Sequence, residues 1–308
     1  MCTMKKKFQM IGFALSVLLV TLPIVTVGAD NAASGKQKKE KTTESALGVK
    51  PVTGSWINLA YKDVRNKYTN PQSFDNMDPK LWEAKVRELS AMGIEYLVLM
   101  EVANEGKSYY PSQIMPWWYN KDKKSPVDAI LDEAAKHNMK IFMSSGWAKD
   151  QDDNLLDPAI KERQLQIMEE LASLYKNHKA FYGWYLPVED CLCPIFAEHA
   201  VQSVNTLSEK AKKLAPGKKT LISPYGIGLS EFDNPEYEKQ MQKLKVDIIA
   251  YQDEVGCVRD QFTLPRLKKN WQRLRDIHNR LNIEMWANCE TFTWEEGTND
   301  RTSALIPA

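Results

Sequence analysis

From residue 51 onward the chain alternates between two patterns. Short apolar runs at residues 54–59, 96–100, 140–145, 181–185, 220–224, 247–252 and from 283 have the length and flanking breaks of buried strands. Between them lie longer stretches with apolar residues at helical spacing. Residues 78–92 carry Leu81, Val86, Leu89 and Met92, with Gly93 to stop the helix. Further helices are predicted over 125–137, opened by Ser125-Pro126, and over 158–176, 195–214, 235–245 and 264–281.

Strands alternating with amphipathic helices imply a parallel sheet, because each crossover must run back over its face. About seven such units of roughly 30–40 residues suit a (β/α)8 TIM barrel better than an open doubly wound sheet. The open sheet also lacks its nucleotide signal, since Gly226-Ile-Gly228 has no third glycine in register. After Glu290 eighteen residues remain, read as a polar loop over 293–301 and a short apolar tail over 304–308. A closing helix and strand need about 30 residues. The expectation is an α/β barrel with its last helix and strand missing at the C-terminus, so that the chain is an incomplete version of a longer protein.

The N-terminus breaks the pattern. Lys5-Lys6-Lys7 precede an apolar run from Ile11 to Val27, and Val27-Gly28-Ala29 offers small residues for cleavage. Residues 1–29 therefore read as a signal peptide, which implies a secreted or periplasmic protein with no stable membrane insertion once cleaved. Cys2 lies before the apolar run, so there is no lipobox. Residues 30–50 are polar and Lys-rich and read as a disordered linker. The barrel domain is then 51–308. With 41 basic against 40 acidic side chains, nothing points to a nucleic-acid partner.

In a barrel the residues just after each strand gather on one face, and that face carries the chemistry. Here it would collect Trp56, Asn58, Glu101, Ser145, Trp147, Glu189, Asp190, Tyr225, Gln252, Asp253, Asn288 and Glu290. The set is acidic, amide-rich and aromatic, which suits sugar hydroxyls and the apolar faces of sugar rings. It lacks the basic groups a phosphate site would want. His137, His178, His199 and His278 all fall within or at the ends of predicted helices, away from the face where a Ser-His-Asp hydrolase or a His-rich metal site needs imidazole. No cofactor and no metal are expected. Two runs stand out: Phe181-Tyr-Gly-Trp-Tyr-Leu-Pro-Val-Glu-Asp190 and Met285-Trp-Ala-Asn-Cys-Glu290, each a strand ending in a carboxylate. Two carboxylates suffice to break a glycosidic bond, one protonated and one ionised.

The runs Gly183-Trp-Tyr-Leu-Pro-Val-Glu189, Tyr251-Gln-Asp-Glu-Val-Gly256 and Trp286-Ala-Asn-Cys-Glu290-Thr-Phe292 resemble a family of secreted barrels, domain of unknown function 4434, over about Val52 to the C-terminus. Glutamates ending the fourth and seventh strands resemble more broadly the large retaining glycoside-hydrolase clan on (β/α)8 barrels. The resemblance implies Glu189 as acid/base and Glu290 as nucleophile, and their places at the strand ends put Asn58, Glu101, Trp147, Tyr225, Gln252, Asp253 and Asn288 around a carbohydrate substrate. One departure is Val188, where the clan places the Asn that bonds the sugar 2-hydroxyl; Asn288 and Asn58 are the candidates to replace it. The alternative is a barrel that binds carbohydrate without cleaving it. A third is an interaction domain whose cleft is filled by the loop of Trp117, Trp118 and Tyr119. Cys191, Cys193, Cys257 and Cys289 also fall at the active face, as free thiols, as a disulfide from the loop after the fourth strand to Cys257, or as zinc ligands.

Overall fold

The computed structural model describes residues 51–59, 77–148, 154–256, 263–294 and 303–305, with backbone alone for 292–294 and 303–305. The stretches read above as a signal peptide and a linker, and Cys257, lie outside the described residues. Strand β1 is Gly54–Ile57, followed by helix α1 (Pro79–Ala91) and β2 (Tyr96–Leu99). A two-stranded antiparallel pair, β3 (Ala103–Asn104) and β4 (Lys107–Ser108), then precedes α2 (Pro126–Lys136) and β5 (Lys140–Ser144). The alternation continues through α3 (Pro158–Tyr175), β6 (Phe181–Tyr185), α4 (Glu198–Leu214), β7 (Lys219–Ile222), α5 (Pro235–Lys243), β8 (Ile248–Gln252), α6 (Leu264–His278) and β9 (Glu284–Asn288). The tail forms β10 (Phe292–Trp294) and β11 (Ser303–Leu305).

Helix starts follow from capping chemistry. Asp78, Ser125, Asp157, Asn234 and Thr263 each accept a backbone N–H from the first turn of their helix, and each of these helices has a proline at its first position or, in α6, its second. Helix α4 has neither device. It begins at Glu198, three residues later than the periodicity suggests, and Ala197 before it donates its N–H to Asp190 Oδ2 at 2.9 Å. A carboxylate from the preceding loop thus stands in for the missing cap.

The main sheet is parallel throughout, in the order β1-β2-β5-β6-β7-β8-β9. Its helix-facing side buries the larger apolar cluster, including Leu97, Leu99, Ile141, Trp184 and Tyr251. Its other side encloses a second cluster of Val98, Phe142, Tyr185, Leu221, Ile248 and Ala250, with Trp56, Tyr96, Tyr182 and Trp286 packed against it. The Trp286 ring of β9 meets Tyr96 of β2 at 5.1 Å and Phe142 of β5 at 5.7 Å. Strands far apart in the order therefore touch across the concave side, so the sheet is curled around an interior filled with rings. This is the wall of a (β/α)8-type barrel, with seven parallel strands and no bridge from β9 back to β1 among the described residues.

Gly183 sits where the β5–β6 register shifts, between Ile141 and Phe142. A Cβ on it would stand 2.6 Å from Lys219 O and 2.7 Å from the Phe142 ring. The close approach needs a residue with no side chain.

Two expectations change. The stretch read as a polar loop from 293 begins instead in β10, which pairs antiparallel with β11 through Phe292↔Leu305 and Trp294↔Ser303. The aromatic loop after β2 contains the β3–β4 pair. Strands of two or three residues are too short to show a period.

Candidate active site

Side-chain alternation along the strands decides what reaches the rim. Ile248 and Ala250 face the interior, so Gln252, two further on, faces it at the C-terminal end. The same step on β9 takes Trp286 to Asn288. Polar residues thus replace apolar ones where the interior opens.

Glu189 follows β6 and is half-buried. Gln252 Nε2 donates to its Oε1 at 2.6 Å and to Ser223 O at 3.0 Å. Burial raises the Glu189 carboxyl from 4.5 to about 7, against the lowering effect of the Gln252 bond. Since Gln252 occupies Oε1, Oε2 is left for the proton. Below lies Tyr185, its phenol pushed up first by burial and then by the charges of Glu189 and Glu101. Its ring packs edge-on against Trp56 at 4.9 Å. Asn288 Nδ2 donates to Ser223 Oγ at 3.1 Å, and Ser223 Oγ donates to Ala250 O at 2.8 Å.

Glu290 lies on the other flank of the β8 end and is 8% exposed. Its Oε2 accepts the Gly256 N–H at 2.7 Å, and its own N–H donates to Asp253 Oδ1 at 3.0 Å. Asp253 in turn donates its N–H to Asn288 O at 3.0 Å. Consecutive residues of one strand end therefore hold both glutamates, Gln252 by its side chain and Asp253 through the Glu290 backbone.

A third carboxylate joins them. Glu254, at φ +54°, is 8% exposed and accepts the N–H groups of Gly226 at 2.7 Å and Ile227 at 3.0 Å on Oε2. Burial raises it from 4.5 to about 7, the backbone donors oppose this, and the nearby Glu290 charge adds to it.

The other expected residues take varied positions. Tyr225 is half-buried and its phenol is raised by burial, then by Cys191 and Glu189, which places it beside the latter. Glu101 is fully buried and accepts the Leu59 N–H at 2.6 Å, tying the end of β1 to the end of β2. Trp147 is enclosed at 5% exposure, and Ser145 is fully buried. Asn58 is half-buried at the end of β1. Asp190 serves the start of α4, as described above. Trp117 stacks on Tyr119 and has the Lys121 ammonium over its ring, and Trp118 stacks on Tyr109 and has Lys107 over its ring.

His137 and His178 face Glu133 and Asp132 on the helix layer, whereas His199, in the first turn of α4, lies near enough to Asp190 to lower that carboxyl. His278 Nδ1 faces Ile283 O at 2.8 Å and must donate there, so its Nε2 accepts from Tyr251 OH at 2.9 Å. Burial lowers its pKa and keeps it neutral. Cys191, Cys193 and Cys289 are free thiols, and among the described residues no His, Cys, Asp and Glu cluster is arranged to hold a metal.

Glu254 and Ser223 were missed as site residues by the sequence reading. The run Tyr251-Gln-Asp-Glu-Val-Gly256 contains Glu254, but its place depends on a left-handed backbone that no local pattern signals.

Fold and rim together define a class, the parallel barrel whose strand ends carry carboxylates and amides. The chain belongs to the family described as Domain of unknown function (DUF4434), whose family model matches residues 52–307. Its fold is similar to that of a Bacteroides thetaiotaomicron protein provisionally assigned as an alpha-L-fucosidase, at 18% identity and a TM-score of 0.65, over 90% of this chain and 84% of that one. An intracellular xylanase of Thermoanaerobacterium saccharolyticum matches less well, at 16% identity and a TM-score of 0.47, over 73% and 74% of the two chains. So does a glycoside hydrolase family 5 protein of Bacteroides vulgatus, at 12% and 0.48, over 74% and 50%. At 18% identity the first likeness is one of fold alone. Among curated proteins nothing matches the chain.

Proposed function

We propose that the protein is an exported glycoside hydrolase in which Glu189 is the acid/base and Glu290 the nucleophile. The observation that carries the reading is the Glu189 carboxyl, raised to about 7 beside a rim holding a second buried carboxylate. A carboxyl near 7 still holds its proton in about half of the molecules at pH 7 and can deliver it to a leaving glycosidic oxygen. Glu290, oriented by the Gly256 N–H, attacks the anomeric carbon and forms a glycosyl ester. Glu189, now ionised, takes a proton from water as that water opens the ester. Asn288 and Gln252 are the amides that would bond hydroxyls of the bound sugar, and Tyr225 the ring beside the leaving group. Export rests on the apolar run and the small residues at 27–29.

The test is a panel of aryl glycosides and polysaccharides offered to the purified protein. Turnover is expected on at least one, lost in Glu290→Gln with sugar binding retained. Glu189→Gln should lose most on substrates with poor leaving groups. Binding without turnover across the panel would replace this reading with a carbohydrate-binding barrel.

A further inference from the structure

The loop leaving β6 runs Glu189-Asp-Cys-Leu-Cys-Pro194. Leu192, between the cysteines, is fully buried, and its N–H donates to Tyr225 O at 2.9 Å. The Cys193 N–H turns back to Cys191 O at 2.8 Å. That bond closes a three-residue turn. Two residues fully extended span about 7 Å between Cα atoms, and the turn shortens the span into the roughly 4.4–6.8 Å range that a disulfide bridges. Both sulfurs leave the loop on the same side. A Cβ on Gly226, at φ +85°, would meet Cys191 Sγ at 2.9 Å and Cys193 Sγ at 3.2 Å. Both thiols are free, Cys193 exposed and Cys191 half-buried, and each shifts the other, Cys191 upward and Cys193 downward.

We propose that Cys191 and Cys193 form a dithiol–disulfide exchange site at the barrel rim, with a low-molecular-weight disulfide of the glutathione class as oxidant. Cys193, its proton released to solvent, attacks one sulfur of the small disulfide, whose S–S bond breaks and expels the first thiolate. Cys191 then gives its proton to solvent and attacks Cys193 Sγ. The Cys191–Cys193 bond forms and the second thiolate leaves. The protein loses two hydrogens and two electrons, and the small disulfide gains them as two thiols. Cys193 starts the sequence because it is the exposed sulfur, and the neighbouring Cys191 lowers its pKa, although burial and the charges of Glu254 and Asp190 push the other way. The proposal does not depend on the hydrolase reading.

The experiment equilibrates the full chain in buffers of reduced and oxidised glutathione, followed by alkylation, trypsin and mass spectrometry. Residues 180–210 form one tryptic peptide holding both cysteines, while Cys257 and Cys289 fall in others. In reducing buffer that peptide should take two alkyl groups. In oxidising buffer it should take none and lose two hydrogens. Cys191→Ser should stop at a glutathione adduct on Cys193, and Cys289→Ser should behave as the parent. A cross-link from this peptide to Cys257 or Cys289, two stable glutathione adducts, or two thiols still open to alkylation in oxidising buffer would each overturn the proposal.

Discussion

Glu189 and Glu254 are both raised to about 7 by burial, yet their partners differ. Glu189 has one amide donor, from Gln252, so its proton is tuned by a single side chain. If it is the general acid, activity should fall as pH rises past about 7, because the protonated form is the active one. Gln252→Met removes a bond that lowers the Glu189 pKa, so the alkaline limb of kcat/KM should move up by about one unit. A limb that stays put in this variant would detach Glu189 from the proton transfer. Glu254 offers a stability test. Its folded pKa lies above the ordinary 4.5, so between roughly 4.5 and 7 the folded chain holds a proton that the unfolded chain has released. Folding stability therefore falls as pH rises through that window. Glutamine can accept the same two N–H groups without a charge to bury. Glu254→Gln should match the parent near pH 4 and exceed it by roughly 1–3 kcal/mol near pH 8 in urea unfolding. A loss at pH 8 would mean that the charged form is net favourable there.

At the level of elements, the strands were legible because parallel strands buried on both faces read as short apolar runs. The carboxylates ending them were legible for the same reason, since Glu189 and Glu290 stand where those runs stop. Boundaries set by distant groups were not. The start of α4 depends on Asp190, eight residues before Glu198, and the orientation of Glu254 depends on donors from the loop after β7. Glu101 showed the limit of position as evidence: it ends a strand as Glu189 does, but its carboxylate is committed to the Leu59 N–H. Gly183 is a point of close approach, and its environment gives a firm expectation. Gly183→Ala drives a methyl into the Lys219 carbonyl and the Phe142 ring. The cost should be about 1–3 kcal/mol in denaturant unfolding, with β6 displaced and any Glu189-dependent activity reduced. An alanine accepted without cost would mean that β6 can move aside freely.

For the molecule as a whole, the barrel class follows from the alternation of strands and helices, while the curl of the sheet is held from inside. Phe142 contacts Tyr96, Tyr182 and Trp286, joining β5 to its neighbours β2 and β6 and to β9 across the interior. Phe142→Ala should cost about 3–5 kcal/mol, because the surrounding rings cannot all collapse into the space. Equilibrium unfolding of that variant measures it, and a change below about 1 kcal/mol would show the interior to be loosely packed.

The contact between Trp286 and Tyr96 is made by rings, and rings shelter no amide. Strands β5, β6, β7 and β8 are hydrogen-bonded on both sides, whereas β1 and β9 each have one partner among the described residues. Exposed to deuterated water, the chain should therefore take up label in a spatial order, first along β1 and β9 and last along β5 to β7. Such a gradient would make β9, which leads to Glu290, the part of the wall that opens most readily, and β6, which leads to Glu189, among the parts that open least.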